Sequence, residues 1–365
     1  MTSRASRAIA LLLTLPLAAQ KIAGGPYVSF ATTTTATVAW IVDHGPVRFG
    51  TDAAALATSA PAFQVHRTTL TGLKPGALYH YEVPGAGRGS FTTPPAATTD
   101  TPHTFAVFGD NRTRHEVYRK VAGAVAAAQP TYIVHTGDQV ADGTVADQWV
   151  TFFDISREML RHTVFFPSLG NHERNSPYWY RFFDKRIGYY SFNYGKAHWV
   201  ILNTDVRNVA ATEEEREAYW KAQLAWADRD LERNQDAEYL FVAHHHTPIT
   251  AIKRRYAEAA RLHERLWPLY EKHKPSAVFT GHDHNYQRHV KDGIPVVVTG
   301  GGGAPLYEVD APVPGISQVV ESIENYVFAQ VDAGVIRLEA RAIDGRVIDK
   351  FEIVSRKAAP ATRTP

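Results

Sequence analysis

The chain has 365 residues, of which 44% are hydrophobic and 21% charged, with a formal net charge of +2. That length exceeds one ordinary core, and the balance excludes a disordered chain. A charge this close to zero also argues against a polyelectrolyte partner, so no nucleic acid is expected as a stable partner and any anion must be met by a local site. The absence of cysteine rules out a disulfide framework.

Arg4 and Arg7 precede an apolar run from Ala8 to Leu17 and the small pair Ala18-Ala19. This order reads as an export signal over residues 1–19, because the run is too short to span a bilayer comfortably. A secreted or periplasmic protein, free of the membrane after cleavage, is the expectation.

From about Gly25 to Thr93 the chain has a β signature. Thr35 to Val42 is rich in β-branched residues, Val47 to Gly50 reads as a further short strand, and His66 to Leu70 and Leu78 to Val83 flank the turn Lys74-Pro75-Gly76. Short strands without helical periodicity between them predict a small all-β sandwich over residues 23–93. Residues 94–102, rich in Thr, Pro and Ala, read as a linker.

Beyond Pro102 strands and helices alternate. Thr104–Phe108, Thr131–Thr136, Val164–Leu169, Tyr239–Ala243 and Ser276–Thr280 read as strands. Helices are predicted around Val117, Val121 and Val125, around Trp149 and Phe153, after the capping-box pair Thr212 and Glu215, and through Leu262, Leu266 and Leu269. From Ile294 to Val354 strands dominate, with Asp344-Gly345 as a hairpin turn. This is the pattern of a layered α/β domain over residues 103–355, followed by a loose tail over 356–365.

Five polar clusters follow five of these strands: Gly109-Asp110-Asn111-Arg112, Gly137-Asp138-Gln139, Gly170-Asn171-His172-Glu173, His244-His245-His246 and Gly281-His282-Asp283-His284. Loops at the carboxyl ends of strands meet on one side of an α/β domain. Carboxylate, carboxamide and imidazole would therefore converge, a donor set suited to zinc, manganese or iron. Taken singly, a Gly-Asp is commonly a turn or a helix cap, and a histidine run is commonly a solvated loop. Their joint occurrence in this order argues for a metal site.

With these motifs the chain resembles the calcineurin-like metallophosphoesterase superfamily, and within it the purple acid phosphatase branch. The run Gly281-His282-Asp283-His284-Asn285-Tyr286-Gln287-Arg288 is similar to that branch's Gly-His-x-His-x-Tyr-x-Arg, and the front region, with Trp40 and Leu73 to Tyr79, resembles its fibronectin type III-like sandwich. The resemblance implies a four-layer α/β sandwich behind that small front domain, and a dinuclear centre of divalent or mixed-valent iron, zinc or manganese. It implies hydrolysis of a small phosphoester, first an acid-phosphatase-like monoester; the alternatives are a diester of a nucleotide or glycerophospho compound, or an exported binding protein without catalysis.

The resemblance also implies roles. Asp138 would bridge two metals, Asp110 and His284 would hold the first, and Asn171, His282 and one histidine of the triplet would hold the second. Val242-Ala243-His244-His245 favours His245, whereas the spacing to Pro248 would choose His246; His245 is preferred, with His246 beside the substrate. His172 is expected as the acid or transition-state stabiliser, and Glu173 as a loop support. Two departures stand out. Arg112 replaces a family His or Gly, and Ala141 stands where the branch has a ligating Tyr, so the first metal lacks its fourth protein ligand. His115 or water is left to substitute, and Arg112 reads either as a phosphate-binding fork or as an ion-pair residue.

Overall fold

The computed structural model describes residues 21–357. The export signal over residues 1–19 and the tail beyond Lys357 lie outside the described residues. Strands β1 (Lys21–Ala31), β2 (Thr35–Phe49) and β3 (Thr58–Thr71) run antiparallel, while β4 (Leu78–Val83) and β5 (Gly87–Thr92) form a separate hairpin. The next half comprises β6 (His103–Phe108), α1 (His115–Ala128), β7 (Tyr132–His135), α2 (Ala146–Ile155), α3 (Arg157–His162), β8 (Val164–Pro167) and α4 (Pro177–Phe183). It is followed by β9 (Tyr190–Tyr194), β10 (Ala197–Ile201), α5 (Glu213–Arg233), β11 (Tyr239–Ala243), α6 (Tyr256–His273) and β12 (Ala277–Thr280). The chain closes with β13 (Tyr286–Lys291), β14 (Ile294–Thr299), β15 (Ser317–Glu321), β16 (Asn325–Asp332), β17 (Val335–Ala342) and β18 (Val347–Val354).

These strands make two large sheets, one in the order β18-β17-β16-β6-β7-β8-β1-β2-β3 and one in the order β15-β13-β14-β12-β11-β10-β9. Alternation along each strand decides what lies where. Phe105 and Val107 of β6, Tyr132 and Val134 of β7, and Phe166 of β8 point inward. There they meet Trp199, Phe241, Phe279 and Val297 of the other sheet. The opposite residues, Ala106, Phe108, Ile133 and Phe165, pack under α1 to α4. On the far side Val200, Leu240, Val242 and Val278 pack under α5 and α6. The result is the expected four layers, helix, sheet, sheet and helix. Burial of each large apolar side chain contributes about 1.5–3 kcal/mol, and the two sheets share that gain across one aromatic core.

Helix starts follow the local chemistry. Thr212 Oγ1 accepts from Glu215 N at 3.2 Å and Glu215 Oε2 accepts from Thr212 N at 3.1 Å, so the capping box forms. Ser176 caps α4 with Pro177 in its first turn.

The front region does pack in two layers, with Val83, Ala86 and Tyr81 of the β4–β5 hairpin against Val38, Trp40 and Leu70. It is not a free-standing bead, however. Its larger layer continues the nine-stranded sheet, because β1 lies parallel to β8 at Val28 and Val164. Its other face shares the core of the α2 and α4 helices, where Tyr27 meets Phe153 and Phe183. Residues His66–Leu70 and Leu78–Val83 therefore lie in different sheets, and the turn between them carries the chain from one layer to the other. Val47–Phe49 is the far end of β2, which bends at a bulge between Asp43 and Pro46 where Gly45 takes φ +79°. Residues 94 and 95 of the expected linker are buried, and the residues from Ala97 to Pro102 are exposed. No helix among the described residues is long and apolar enough to cross a membrane.

Candidate metal centre

Strands β6, β7 and β8 are parallel neighbours in one sheet, and β10, β11 and β12 in the other. All five polar clusters follow these strands and meet where the two sheets open. The loops interlock closely. A Cβ on Gly170 would sit 2.2 Å from Asp138 Oδ1, and one on Gly281 would sit 2.3 Å from Asp110 Oδ2. Asp110, Asp138 and His282 each adopt a left-handed backbone, with φ of 59°, 59° and 67°. Such conformations cost about 1–3 kcal/mol apiece and aim each side chain inward from the strand end.

Two donor groups adjoin at Asp138. Around its Oδ1, His245 Nε2 lies at 3.4 Å, and that nitrogen is 3.0 Å from Asn171 Oδ1 and 3.2 Å from His282 Nδ1. On the other side Asp110, Asp138 and His284 bring ligand atoms within 4.8 Å of one another, with His284 Nε2 3.5 Å from Asp110 Oδ1. Outer partners orient the rings. His245 Nδ1 donates to Thr136 O at 2.8 Å and His284 Nδ1 donates to Pro305 O at 2.7 Å, which turns each Nε2 lone pair inward. Asp110 Oδ1 is wholly buried and has no hydrogen-bond partner. Acceptors facing acceptors in a dry site call for a cation, so the donor set fits metal ions. Burial opposes ionisation of Asp138, but His245, His172 and Arg112 outweigh it and hold its carboxyl below the usual range.

The three consecutive histidines have three different surroundings. His244 is tied to its own loop, donating from Nδ1 to His246 O and meeting the Tyr270 hydroxyl at Nε2. His245 enters the donor cluster. His246 offers a nitrogen to the same group, but its Nδ1 meets Thr204 Oγ1 at 2.9 Å and its Nε2 lies 3.9 Å from Glu258. It stands between the cluster and a cavity of about 300 Å³ lined also by Arg207, Trp220 and Arg261.

The remaining expected residues are placed as follows. His172 Nδ1 donates to Ala141 O at 2.7 Å, leaving Nε2 beside the site, 3.9 Å from Asp138 Oδ2. Glu173 is wholly buried and accepts from the amides of Asp138, Gln139, Val140 and Gly170, the loop support expected of it. Arg112 donates from Nε to Asp138 Oδ2 at 3.2 Å. His115 is exposed at the start of α1 and is not in the donor group, and Ala141 brings only its carbonyl. Arg288 is structural, pairing with Asp349 through Nε and Nη2, and Tyr286 is buried with its hydroxyl on the same carboxylate. Trp179, Phe182 and Phe183 pack in the core.

Some supports were not picked out from the sequence. Arg255 contacts His282 and pairs with Asp283 and Glu258. Thr204 and Asp205 follow β10, a strand the sequence reading passed over, so their Asn203-Thr204-Asp205 cluster was the available signal. His135 lies beneath the first loops. Its Nδ1 accepts from Gly137 N and its Nε2 donates to Asn111 Oδ1 at 2.5 Å.

Burial pushes His135 down to about 3 and His289 to about 4. Both bases titrate below the unfolded value of about 6.5, so the unfolded chain takes up protons first as pH falls. Their contribution is complete above that value and is lost progressively towards pH 4 and below, by at most about 1.4 kcal/mol per pH unit for each residue. The denaturant midpoint is expected to fall between pH 6.5 and 4, and His289→Gln to flatten part of that slope. A midpoint constant across the window would contradict this.

Comparison with known proteins bears on the family and the fold. The calcineurin-like phosphoesterase family model matches residues 103–286. An uncharacterized protein of Mycobacterium tuberculosis is 24% identical over 284 residues, covering 64% of this chain and 52% of that protein. A purple acid phosphatase of Glycine max is 24% identical over 286 residues, covering 68% and 58%. The chain thus spans a little over half the length of these relatives. Among solved structures, a purple acid phosphatase from yellow lupin (Lupinus luteus) seeds superposes with a TM-score of 0.70 at 20% identity, covering 90% of this chain and 74% of that one. A structure of PhoD gives 0.64 at 12% identity, covering 97% and 94%. At these identities the structures speak for the fold.

Proposed function

The chain belongs to the calcineurin-like phosphoesterase family, and from that premise we propose that it hydrolyses small phosphoesters, monoesters first, at a two-position metal centre. The observation that carries this reading is the single carboxylate of Asp138, whose Oδ1 lies 3.4 Å from His245 Nε2 and which also belongs to the Asp110 and His284 group. Asn171, His245 and His282 would complete one position, and Asp110 and His284 the other. Cations of iron, zinc or manganese held there would supply Lewis-acid chemistry, neutralising phosphoryl charge and acidifying a water nucleophile.

The protein's own groups do the rest. His172 has its Nδ1 proton committed to Ala141 O, so Nε2 is the nitrogen that carries or gives up a proton at the site. Protonated there, it donates to the oxygen on which charge develops. The cavity beside His246 is where the ester's alcohol portion fits. Its acids Glu213, Glu217 and Glu258 are paired with Arg216, Arg265 and Arg255, which leaves Arg207 and Arg261 to face an anionic or polar group. Export through the signal at residues 1–19 belongs to the same reading.

The test is to purify the mature chain without chelator, measure bound metal, and assay p-nitrophenyl phosphate against its bis-ester. Turnover abolished by chelation is expected, with the monoester preferred; preference for the diester would move the assignment to a phosphodiesterase. His172→Ala is expected to lower turnover by roughly 10²–10⁴-fold at unchanged metal content. Turnover close to wild type would remove His172 from the chemistry. Bound metal without turnover on either ester would favour an exported binding protein, a reading that draws on the position of Arg112.

A further inference from the structure

The donor group of Asp110, Asp138 and His284 has a neighbour that the other group lacks. Arg112, two residues beyond Asp110, reaches across it. Its Nε donates to Asp138 Oδ2 at 3.2 Å, and its Nη2 is 3.4 Å from His284 Nε2. Because His284 Nδ1 is committed to Pro305 O, the nitrogen facing the guanidinium is an unprotonated acceptor. The arginine side chain is only 14% exposed, so little water screens its charge.

We propose that Arg112 is a tethered cation competing with metal for this first position, so that the chain binds one metal ion firmly at Asn171, His245 and His282 and a second only weakly. The argument is one of shared atoms. A metal in this group would draw on the Asp138 carboxylate and on the His284 ring lone pair, both of which the guanidinium already contacts. With both present, two cations would crowd one carboxylate and one ring nitrogen. Relieving that contact means breaking a largely buried charge pair, which is costly. At the second position the situation differs. Arg255 touches His282, but at Nε2, whereas Nδ1 is the nitrogen turned to His245. Arg112 thus does electrostatically what a first metal would do, placing positive charge beside Asp138 without needing a fourth protein ligand. The absence of a ligand at Ala141 and the exposed His115 fit the same picture.

The inference rests on the metal-centre reading above, and metal counting separates the two. The mature chain, Arg112→Ala and Arg112→Met would be dialysed to equilibrium against zinc and against manganese, with bound metal measured by elemental analysis and affinities by calorimetry. Wild type is expected to hold about one ion per chain, the second binding at least about tenfold more weakly. Both variants are expected to approach two, with the weak site tightened by about tenfold or more. Met keeps an unbranched apolar stem without the charge, and matching circular dichroism would show that the variants are folded. Two ions bound by wild type with comparable affinity would overturn the proposal while leaving the metal centre intact. So would either folded variant remaining at one. No metal in any of the three proteins would overturn the metal-centre reading and this inference together.

Discussion

Asp138→Asn is expected to lose both tightly held metal and turnover, with kcat/KM falling by about 10³-fold or more. The size follows from position. Oδ1 accepts from His172 N at 3.0 Å and lies 3.4 Å from His245 Nε2, while Oδ2 accepts from Arg112. Asparagine keeps the shape but removes the charge, and it turns an amide NH₂ towards either an arginine or a metal position. Loss of several kcal/mol of charge stabilisation corresponds to about three decades in rate. Elemental analysis after dialysis and a phosphomonoester assay check both parts. A variant that retains its metal and stays within tenfold of wild type would deny Asp138 the shared role.

Glu173→Ala is expected to act on the fold before it acts on the chemistry. The carboxylate is wholly buried and accepts from four backbone amides, those of Gly170 at 2.6 Å, Gln139 at 2.7 Å, Asp138 at 2.8 Å and Val140 at 3.3 Å. Burial and the neighbouring Asp138 carboxylate push Glu173 up to about 8, against the pull of those donors. Removing it leaves four buried N–H groups without a partner, at about 1–3 kcal/mol each. The sum rivals the whole stability of an ordinary domain, about 5–15 kcal/mol. Insoluble protein, or a Tm lower by about 10 °C or more, is the expected outcome. Glu173→Gln should be damaged too, because two of the amides would face an NH₂ group. Thermal unfolding of both variants decides it, and an Ala variant melting within a few degrees of wild type would show that the loops are held by something else.

The layered domain was legible because local periodicity and packing agree. Val117, Val121 and Val125 lie on one helix, with Val121 and Val125 buried, and Tyr239–Ala243 is a strand with those bounds. The front region was legible as β structure but not in its connections. Nothing in the strand Lys21–Ala31 announces that it will lie beside Val164, because β pairing is settled by distant partners and not by the strand's own residues. The site was legible as a set of donors, since each cluster directly follows an apolar strand. Its supports were less so. Arg255 and Glu258 belong to a helical segment whose sequence reads as an ordinary solvated face, and only the packing of that segment against the loops brings them to His282.

The sequence by itself determined most of the elements and the five clusters of carboxylate, amide and imidazole, because these depend on neighbours a few residues apart. Tertiary structure decided three things that do not. It made the front strands part of the main sheet, since one face of Tyr27 and Ile41 needed the helices' aromatic core for burial. It gave His244, His245 and His246 three different surroundings, because three adjacent rings on one loop point in different directions and only the surrounding acceptors separate them. And it laid Arg112 against Asp138 and His284, residues 26 and 172 positions away in the chain, where a largely buried guanidinium contacts the groups a metal ion would use.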